Sequence, residues 1–310
     1  MTTEIYKRYR PKNWEDVIGQ ESAVAVLKEK LEKGEVPHSL LFTGPSGCGK
    51  TTAARILRRK LDCKERDFNE INASSTRGID MIRSIQDEMQ LSPWGKCKIF
   101  FLEECHSLSR EAMEASLLIL EDTPAHVYFF LATTNPTKLI DAIRTRCMPI
   151  EFKSLNRANL QLLLTTVLEK EKAGLPESVT NKLIETADGS ARRILVNLEK
   201  VIGLGSEQEQ LDAIQSLEEN DDAFKIVKAL LWEHSKTKWS DVQNILRNMT
   251  EEPEGIRRLI LANAKNELLK PKGMHARAYR LVQIFSFDLF ASGMAGLVGN
   301  CFEMYNDKTV

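Results

Sequence analysis

Gly44-Pro45-Ser46-Gly47-Cys48-Gly49-Lys50-Thr51 decides how this sequence is read. The stretch meets the full pattern of a phosphate-binding loop, and it stands between an apolar run ending at Thr43 and a helical run that opens at Thr51. Glycines let such a loop turn its backbone N–H groups inward around a phosphate, and the following helix points its positive end at the same charge. Lys50 is placed to reach the β- and γ-phosphates of a nucleoside triphosphate, and the Thr51 hydroxyl to coordinate Mg2+. Pro45, Ser46, Gly47, Cys48, Gly49, Lys50, Thr51 and Thr52 are therefore candidate nucleotide contacts.

Outward from the loop, Leu40-Leu41-Phe42-Thr43, Phe68-Asn69-Glu70-Ile71, Ile99-Phe100-Phe101-Leu102 and Val127-Tyr128-Phe129-Phe130-Leu131 read as buried strands between helical stretches. Continuous apolar strands separated by helices imply a parallel sheet covered on both faces. The third of these runs delivers Glu103 and Glu104 to the sheet edge, the first carboxylate to hold Mg2+ and the second to polarise an attacking water. Asp is the usual first residue, so Glu103 sets its carboxylate one methylene further out, which bears on Mg2+ geometry and turnover. Paired glutamates alone belong more often to solvated helices; the apolar strand before them is what singles them out. The fourth run ends in Thr133-Thr134-Asn135-Pro136, which brings Thr134 and Asn135 to the same edge, to sense the γ-phosphate, to position water, or simply to cap a turn.

From Asn156 the apolar period changes. Leu160, Leu163, Leu164, Val167 and Leu168 form one helical stripe capped by Asn156; Pro176 opens a second helix with Leu183 and Ile184; after Gly189-Ser190 a third carries Ile194, Leu198 and Val201. Glycines and polar residues from Gly203 to Gln210 close this block. Further amphipathic helices follow, through Phe224, Val227, Leu230 and Leu231, then Trp239 to Met249, then Ile256 to Leu268, and a more apolar one from about Ala276 to Ser292. Such stripes are chiefly core, with any surplus face open to oligomer contacts. The expected organisation is an α/β P-loop domain over 1–153, a small helical lid over 154–210 and an all-helical domain over 211–310.

Length and composition agree with that division. A chain of 310 residues, 42% hydrophobic and 28% charged, can bury two or three cores. The formal charge of -1 excludes attraction of the whole molecule to a polyanion, so any DNA contact needs a local basic surface. Six scattered cysteines argue against a zinc module and against disulfides, and no window approaches the ~20 apolar residues of a membrane span. A soluble protein of the reducing cytoplasm is expected, without a membrane partner.

These residues resemble the AAA+ clamp-loader ATPases, the replication factor C small subunits and the bacterial gamma/tau subunit. Tyr9-Arg10-Pro11-Lys12 with Val17-Ile18-Gly19-Gln20 is similar to the family's N-terminal signature, which implies that Tyr9, Arg10, Pro11, Val17 and Ile18 surround adenine. Ile71-Asn72-Ala73-Ser74 and Arg77-Gly78-Ile79-Asp80 look like the replication factor C version, whereas His106 to Arg110 and Leu131 to Pro136 look like the bacterial one, a mixture that suggests a phage or divergent member. Lys60 to Asn72 holds Cys63 alone and lacks the bacterial four-cysteine insert. Thr145-Arg146-Cys147 is close to the family's Ser-Arg-Cys motif, which implies that Arg146 reaches into a neighbouring subunit's ATP site. Gly189-Ser190-Ala191-Arg192 resembles the lid motif in which Arg192 faces the γ-phosphate.

The resemblance implies an AAA+ ATPase domain, a lid and a collar, with ATP and Mg2+ as ligands. It further implies a sliding clamp, primer-template DNA and other loader subunits as partners, in a homo- or hetero-oligomer that is pentameric in the family. Localisation would be cytoplasmic, in the host if the source is viral. Candidate DNA contacts are Arg77, Arg83 and Arg110, and Met81, Ile82 and Ile85 could face the clamp or fill the core. Two other functions fit the same ATP chemistry. One is a different AAA+ engine, such as an initiator, helicase loader or branch-migration motor; the other is an ATP-binding scaffold with little turnover, motivated by Glu103.

Overall fold

A computed structural model describes residues 4–76, 78–220, 222–232, 237–249, 253–289 and 291–307. The chain divides into two compact units, Met1–Gln210 and Leu211–Val310. In the first, the elements run α1 (Ile5–Arg8), α2 (Glu21–Lys33), β1 (Ser39–Thr43), α3 (Lys50–Lys60), β2 (Phe68–Asn72), α4 (Ile79–Glu88), β3 (Lys98–Glu103), α5 (Arg110–Glu121), β4 (Val127–Thr133), α6 (Asp141–Arg146), β5 (Met148–Glu151), α7 (Arg157–Glu171), α8 (Glu177–Thr186) and α9 (Ala191–Val201).

The five strands lie in the order β2-β3-β4-β1-β5, and every neighbouring pair is parallel. Alternation along each strand divides the apolar residues between two covered faces. Leu41, Phe100, Leu102, Phe129 and Leu131 pack with the buried side of α4 and α5, while Leu40, Phe42, Ile99, Phe101 and Phe130 pack with α2 and α3. Met81, Ile82 and Ile85 are buried in the first of these cores, so of their two expected roles they take core packing beneath α4. The fifth strand carries Pro149 and pairs only with β1, an edge position where the missing N–H costs no ladder bond.

Because the strands are parallel, their C-terminal ends share one rim. Asn72 is level with Glu103, and Thr43 with both Thr133 and Glu151. Beyond β5 the chain enters three helices, α7 to α9, where the sequence led us to expect a lid. Asn156 Oδ1 accepts the Asn159 N–H at 2.8 Å and caps α7, and Ser190 Oγ accepts the Arg193 N–H at 3.2 Å and caps α9. Leu164, Val179, Leu183, Ile194 and Leu198 are fully buried among the lid helices.

The division between units falls within α10 (Glu207–Asn220). The second unit continues through α11 (Asp222–Val227), which passes into a π-helical turn at Lys228–Trp232, then α12 (Trp239–Asn248), α13 (Pro253–Leu268), α14 (His275–Ile284) and α15 (Gly293–Asn306). Val227, Leu230, Val242, Ile260, Leu281 and Leu297 belong to one continuous core. The single helix expected from Ala276 to Ser292 is broken after Ile284. A continuing helix would join the Leu289 N–H to the Phe285 carbonyl. Here the Leu289 N–H donates instead to the buried Glu254 carboxylate at 3.0 Å, and the Phe285 carbonyl accepts from Arg257 Nη1 at 2.8 Å. Two side chains of α13 thus take the groups that would have extended α14, a tertiary effect that apolar periodicity does not report.

Candidate nucleotide site

The loop between β1 and α3 turns through left-handed glycines, with φ of +139° at Gly44, +73° at Gly47 and +117° at Gly49. A Cβ on Gly44 would meet the Phe152 carbonyl oxygen at 2.1 Å, and one on Gly47 would meet Ser190 Oγ at 2.2 Å. The loop is therefore clasped between the end of β5 and the start of α9, and only glycine fits at either point. Gln20 secures it from another side: its Nε2 donates to Cys48 O at 3.2 Å and to Lys153 O at 2.7 Å, and its Oε1 accepts the Lys153 N–H at 3.0 Å. Lys50 is only 7% exposed, and its ammonium donates to Gly44 O at 2.7 Å and Pro45 O at 2.8 Å.

A cavity of about 250 Å³ opens above this loop. It brings together Tyr9, Arg10, Pro11, Ile18, Ser46 to Thr52, Glu103, Glu104 and Arg192 from the expected set. Val17 is not among its lining residues and packs against the core beside α2 instead; Pro45 contributes its carbonyl to Lys50. Thr134 and Asn135 stand behind the cavity, the first bonded to Glu104 and the second almost fully buried. Tyr6, Asn72, Leu155, Leu163 and Leu195 also line it and were not singled out from the sequence. Leu163 lay in plain view on a helical stripe, but a stripe does not distinguish core from pocket wall. The N-terminal segment is tied to the lid, because Arg8 and Tyr9 both bond to the Glu171 carboxylate. That hydrogen bond, with burial, raises the Tyr9 phenol above its ordinary range.

At the rim, the Thr51 hydroxyl donates to Glu103 Oε1. Two oxygen donors of the kind that suit a hard divalent cation thus meet at this rim, and the longer side chain of Glu103 reaches the threonine hydroxyl. Glu104 adopts the left-handed region at φ +50°, and its Oε2 accepts from Thr134 Oγ1 at 3.2 Å. His106 Nδ1 lies 3.4 Å from the same oxygen.

The guanidinium of Arg192 stands over the Tyr6 ring at 5.9 Å, at the lid side of the cavity. Burial, together with repulsion from Arg55 and Arg192, holds the Arg10 pKa below its usual value, so cationic charge is concentrated around the cavity. Arg146, at the C-terminal end of α6, is not part of the lining: it pairs with Glu121 and donates to Ala142 O at 2.9 Å, with a third of its side chain exposed. Arg83 and Arg110 are on the surface, paired with Asp80 and Glu114. Arg77 lies outside the described residues.

The six cysteines are free and buried. Cys63 Sγ donates to Lys64 O at 3.5 Å and Cys97 Sγ to Leu61 O at 3.6 Å, so two cysteines distant in sequence are both tied to the chain just after α3.

Comparison with known proteins bears on the family of the chain. Residues 19–79 and 67–156 match the family described as DNA polymerase III, delta subunit. The tau subunit of DNA polymerase III from Salmonella typhimurium is 31% identical, the match covering 73% of this chain and 39% of that protein. The corresponding subunit of Escherichia coli is 30% identical with the same coverage, and the gamma/tau subunit of Mycobacterium tuberculosis is 31% identical over 64% of this chain and 38% of its own length. This chain thus spans about two fifths of those relatives. Among solved structures, the Thermotoga maritima RuvB Holliday junction branch migration motor superposes with a TM-score of 0.59 at 20% identity, covering 77% of this chain and 85% of that one, a likeness of fold. The chain belongs to the AAA+ clamp-loader family that includes the gamma/tau subunits of DNA polymerase III.

Proposed function

We propose that this chain is an ATP-hydrolysing subunit of a loader that opens a sliding clamp and places it on primer-template DNA. The observation that carries the ATPase reading is the gathering of Lys50, Thr51, Glu103, Glu104 and Arg192 around one cavity at one sheet rim. Adenine would lie among Tyr9, Arg10, Pro11 and Ile18, with phosphates over the backbone of Ser46 to Thr52. Lys50 would exchange its two loop carbonyls for the β- and γ-phosphates. Thr51 and Glu103 would hold Mg2+, which when bound supplies positive charge to the β- and γ-phosphate oxygens. Their contact also speaks against the scaffold alternative, since glutamate reaches the threonine hydroxyl as an aspartate would be expected to. Glu104 would accept the proton of the attacking water while Thr134, with Asn135 behind it, holds its carboxylate.

Arg146 stands apart from the cavity of its own chain, which supports a role in the site of a neighbouring protomer. There its guanidinium would counter charge developing on the γ-phosphate. Assembly would then complete each site, and hydrolysis after DNA binding would release clamp and DNA. Arg83 and Arg110, exposed on the surface of the first unit, are the proposed phosphate-backbone contacts, with Arg77, which shortly precedes Arg83 in sequence, as the third. Among the described residues no helix is long and apolar enough to cross a membrane, and we place the protein in the cytoplasm, of a host if the source is viral.

ATP turnover with and without primed DNA and a clamp protein tests the proposal. A stimulated rate that vanishes in Lys50→Ala and Glu104→Gln supports it. Tight ATP binding with no turnover under any condition would favour a scaffold, and turnover indifferent to clamp and primer would favour another AAA+ engine.

A further inference from the structure

We infer that His106 is a positioning residue for Glu104, fixing which carboxylate oxygen faces the attacking water; the inference rests on the ATPase reading above. Glu104 begins the short turn Cys105–Ser107, whose first residue is fully buried and whose last returns its N–H to Glu104 O at 2.8 Å. The turn brings the imidazole back over the carboxylate two residues before it. His106 Nδ1 lies 2.9 Å from Thr133 Oγ1 and 3.4 Å from Glu104 Oε2, and its side chain is 11% exposed.

Thr133 is a firm support for this arrangement. It has no exposed surface, its hydroxyl accepts the Asn135 N–H at 3.0 Å, and its carbonyl accepts the Gly44 N–H at 3.3 Å. The imidazole is therefore referenced to the strand end that also holds the first glycine of the phosphate loop. Proximity to the carboxylate favours the tautomer with its proton on Nδ1, because the other sets a nitrogen lone pair against negative charge. That N–H is then shared between Thr133 Oγ1 and Glu104 Oε2, and Thr134 donates to the same Oε2 at 3.2 Å. Two donors on Oε2 leave Oε1 free for water. Glutamate has three rotatable side-chain bonds, and a carboxylate already held in one direction loses less freedom when the transition state forms.

The test is ATP hydrolysis by the full chain with the subunits that co-purify with it, in the presence of primed DNA. His106→Ala is expected to lower kcat about tenfold while KM and the affinity for a fluorescent ATP analogue stay within about twofold, the pattern of a group that acts only in the transition state. His106→Asn, which returns an N–H donor near the Nδ1 position, is expected to recover most of the loss. In the Glu104→Gln background His106→Ala should cause no additional loss, because its effect passes through that carboxylate. Unchanged kcat in His106→Ala, a change confined to KM, or multiplicative losses in the double variant would overturn the inference. If His106→Ala lowers the melting temperature, the folded His106→Asn protein decides: near wild-type kcat supports the role, and kcat as low as in the alanine variant removes it. A wild-type chain that binds ATP and never hydrolyses it removes the ATPase reading itself.

Discussion

Lys50 has two sets of partners competing for one ammonium. Two of its three N–H groups donate to Gly44 O and Pro45 O, and the proposed phosphates would offer stronger, charge-assisted partners. Lys50→Ala is expected to weaken ATP binding at least about tenfold, read by titration with a fluorescent analogue, since hydrogen bonds to charged groups contribute about 1.5–3 kcal/mol each. The thiols respond to burial in a way that can be counted. Burial pushes Cys147 and Cys301 up to about 12 and raises Cys48 as well. At pH 8 the native protein should therefore leave Cys147 and Cys301 unmodified by iodoacetamide, and all six should react after denaturation, as read by mass spectrometry. At this scale the sequence was legible wherever chemistry and position coincide, as at Lys50, Thr51, Glu103 and Glu104. It was silent on Tyr6 and on Cys97, whose thiol donates to Leu61 O, because both depend on which distant segments fold against each other.

The elements that close the cavity meet at points with no spare volume. Gly47 is the tightest: an alanine there needs a left-handed backbone and drives a methyl into the Ser190 hydroxyl that caps α9. Gly47→Ala should cost about 1–3 kcal/mol from backbone strain and a disturbed cap, seen as a lower melting temperature, and should abolish ATP binding. Within the second unit, a contact just as tight lies in the break between α14 and α15. Burial alone would raise the Glu254 pKa, but the hydrogen bonds from Arg257 and the Leu289 N–H outweigh it and hold the carboxylate below its ordinary value. A carboxylate depressed in the folded state stabilises above its unfolded pKa, and that contribution fades as pH falls through the lower folded value. Glu254→Gln should thus melt earlier than wild type at pH 7, and the gap should begin to narrow near the ordinary carboxylate range of about pH 4 and close only below the lowered folded value, where both carry a neutral group. The four strands read from the sequence are all present, whereas β5 escaped notice because a four-residue edge strand with a proline has too little apolar pattern to declare itself. The helix break escaped for a different reason: its cause is an ion pair on another helix.

For the whole molecule, the proposal divides each ATP site between two copies or relatives of the chain. Glu104 and Arg146 then serve different sites, and their losses should complement. Protomers carrying Glu104→Gln still offer Arg146, and those carrying Arg146→Ala still offer Glu104, so an equal mixture contains some complete interfaces. ATPase activity of the mixture should exceed that of either variant alone; a mixture as inactive as its parts would return Arg146 to an ordinary surface role. The strand arrangement has an engineering consequence of its own. One end of the five-stranded ladder carries the candidate site, and the exposed residues 64–66 and 91–92, in the segments that feed β2 and β3 at the opposite end, take no part in it. Shifting β3 by a single residue would swap the directions of Glu103 and Glu104, whereas a peptide tag or fluorophore grafted into those feeding segments would leave both carboxylates in place. They are the natural handles for tethering this protein in single-molecule work.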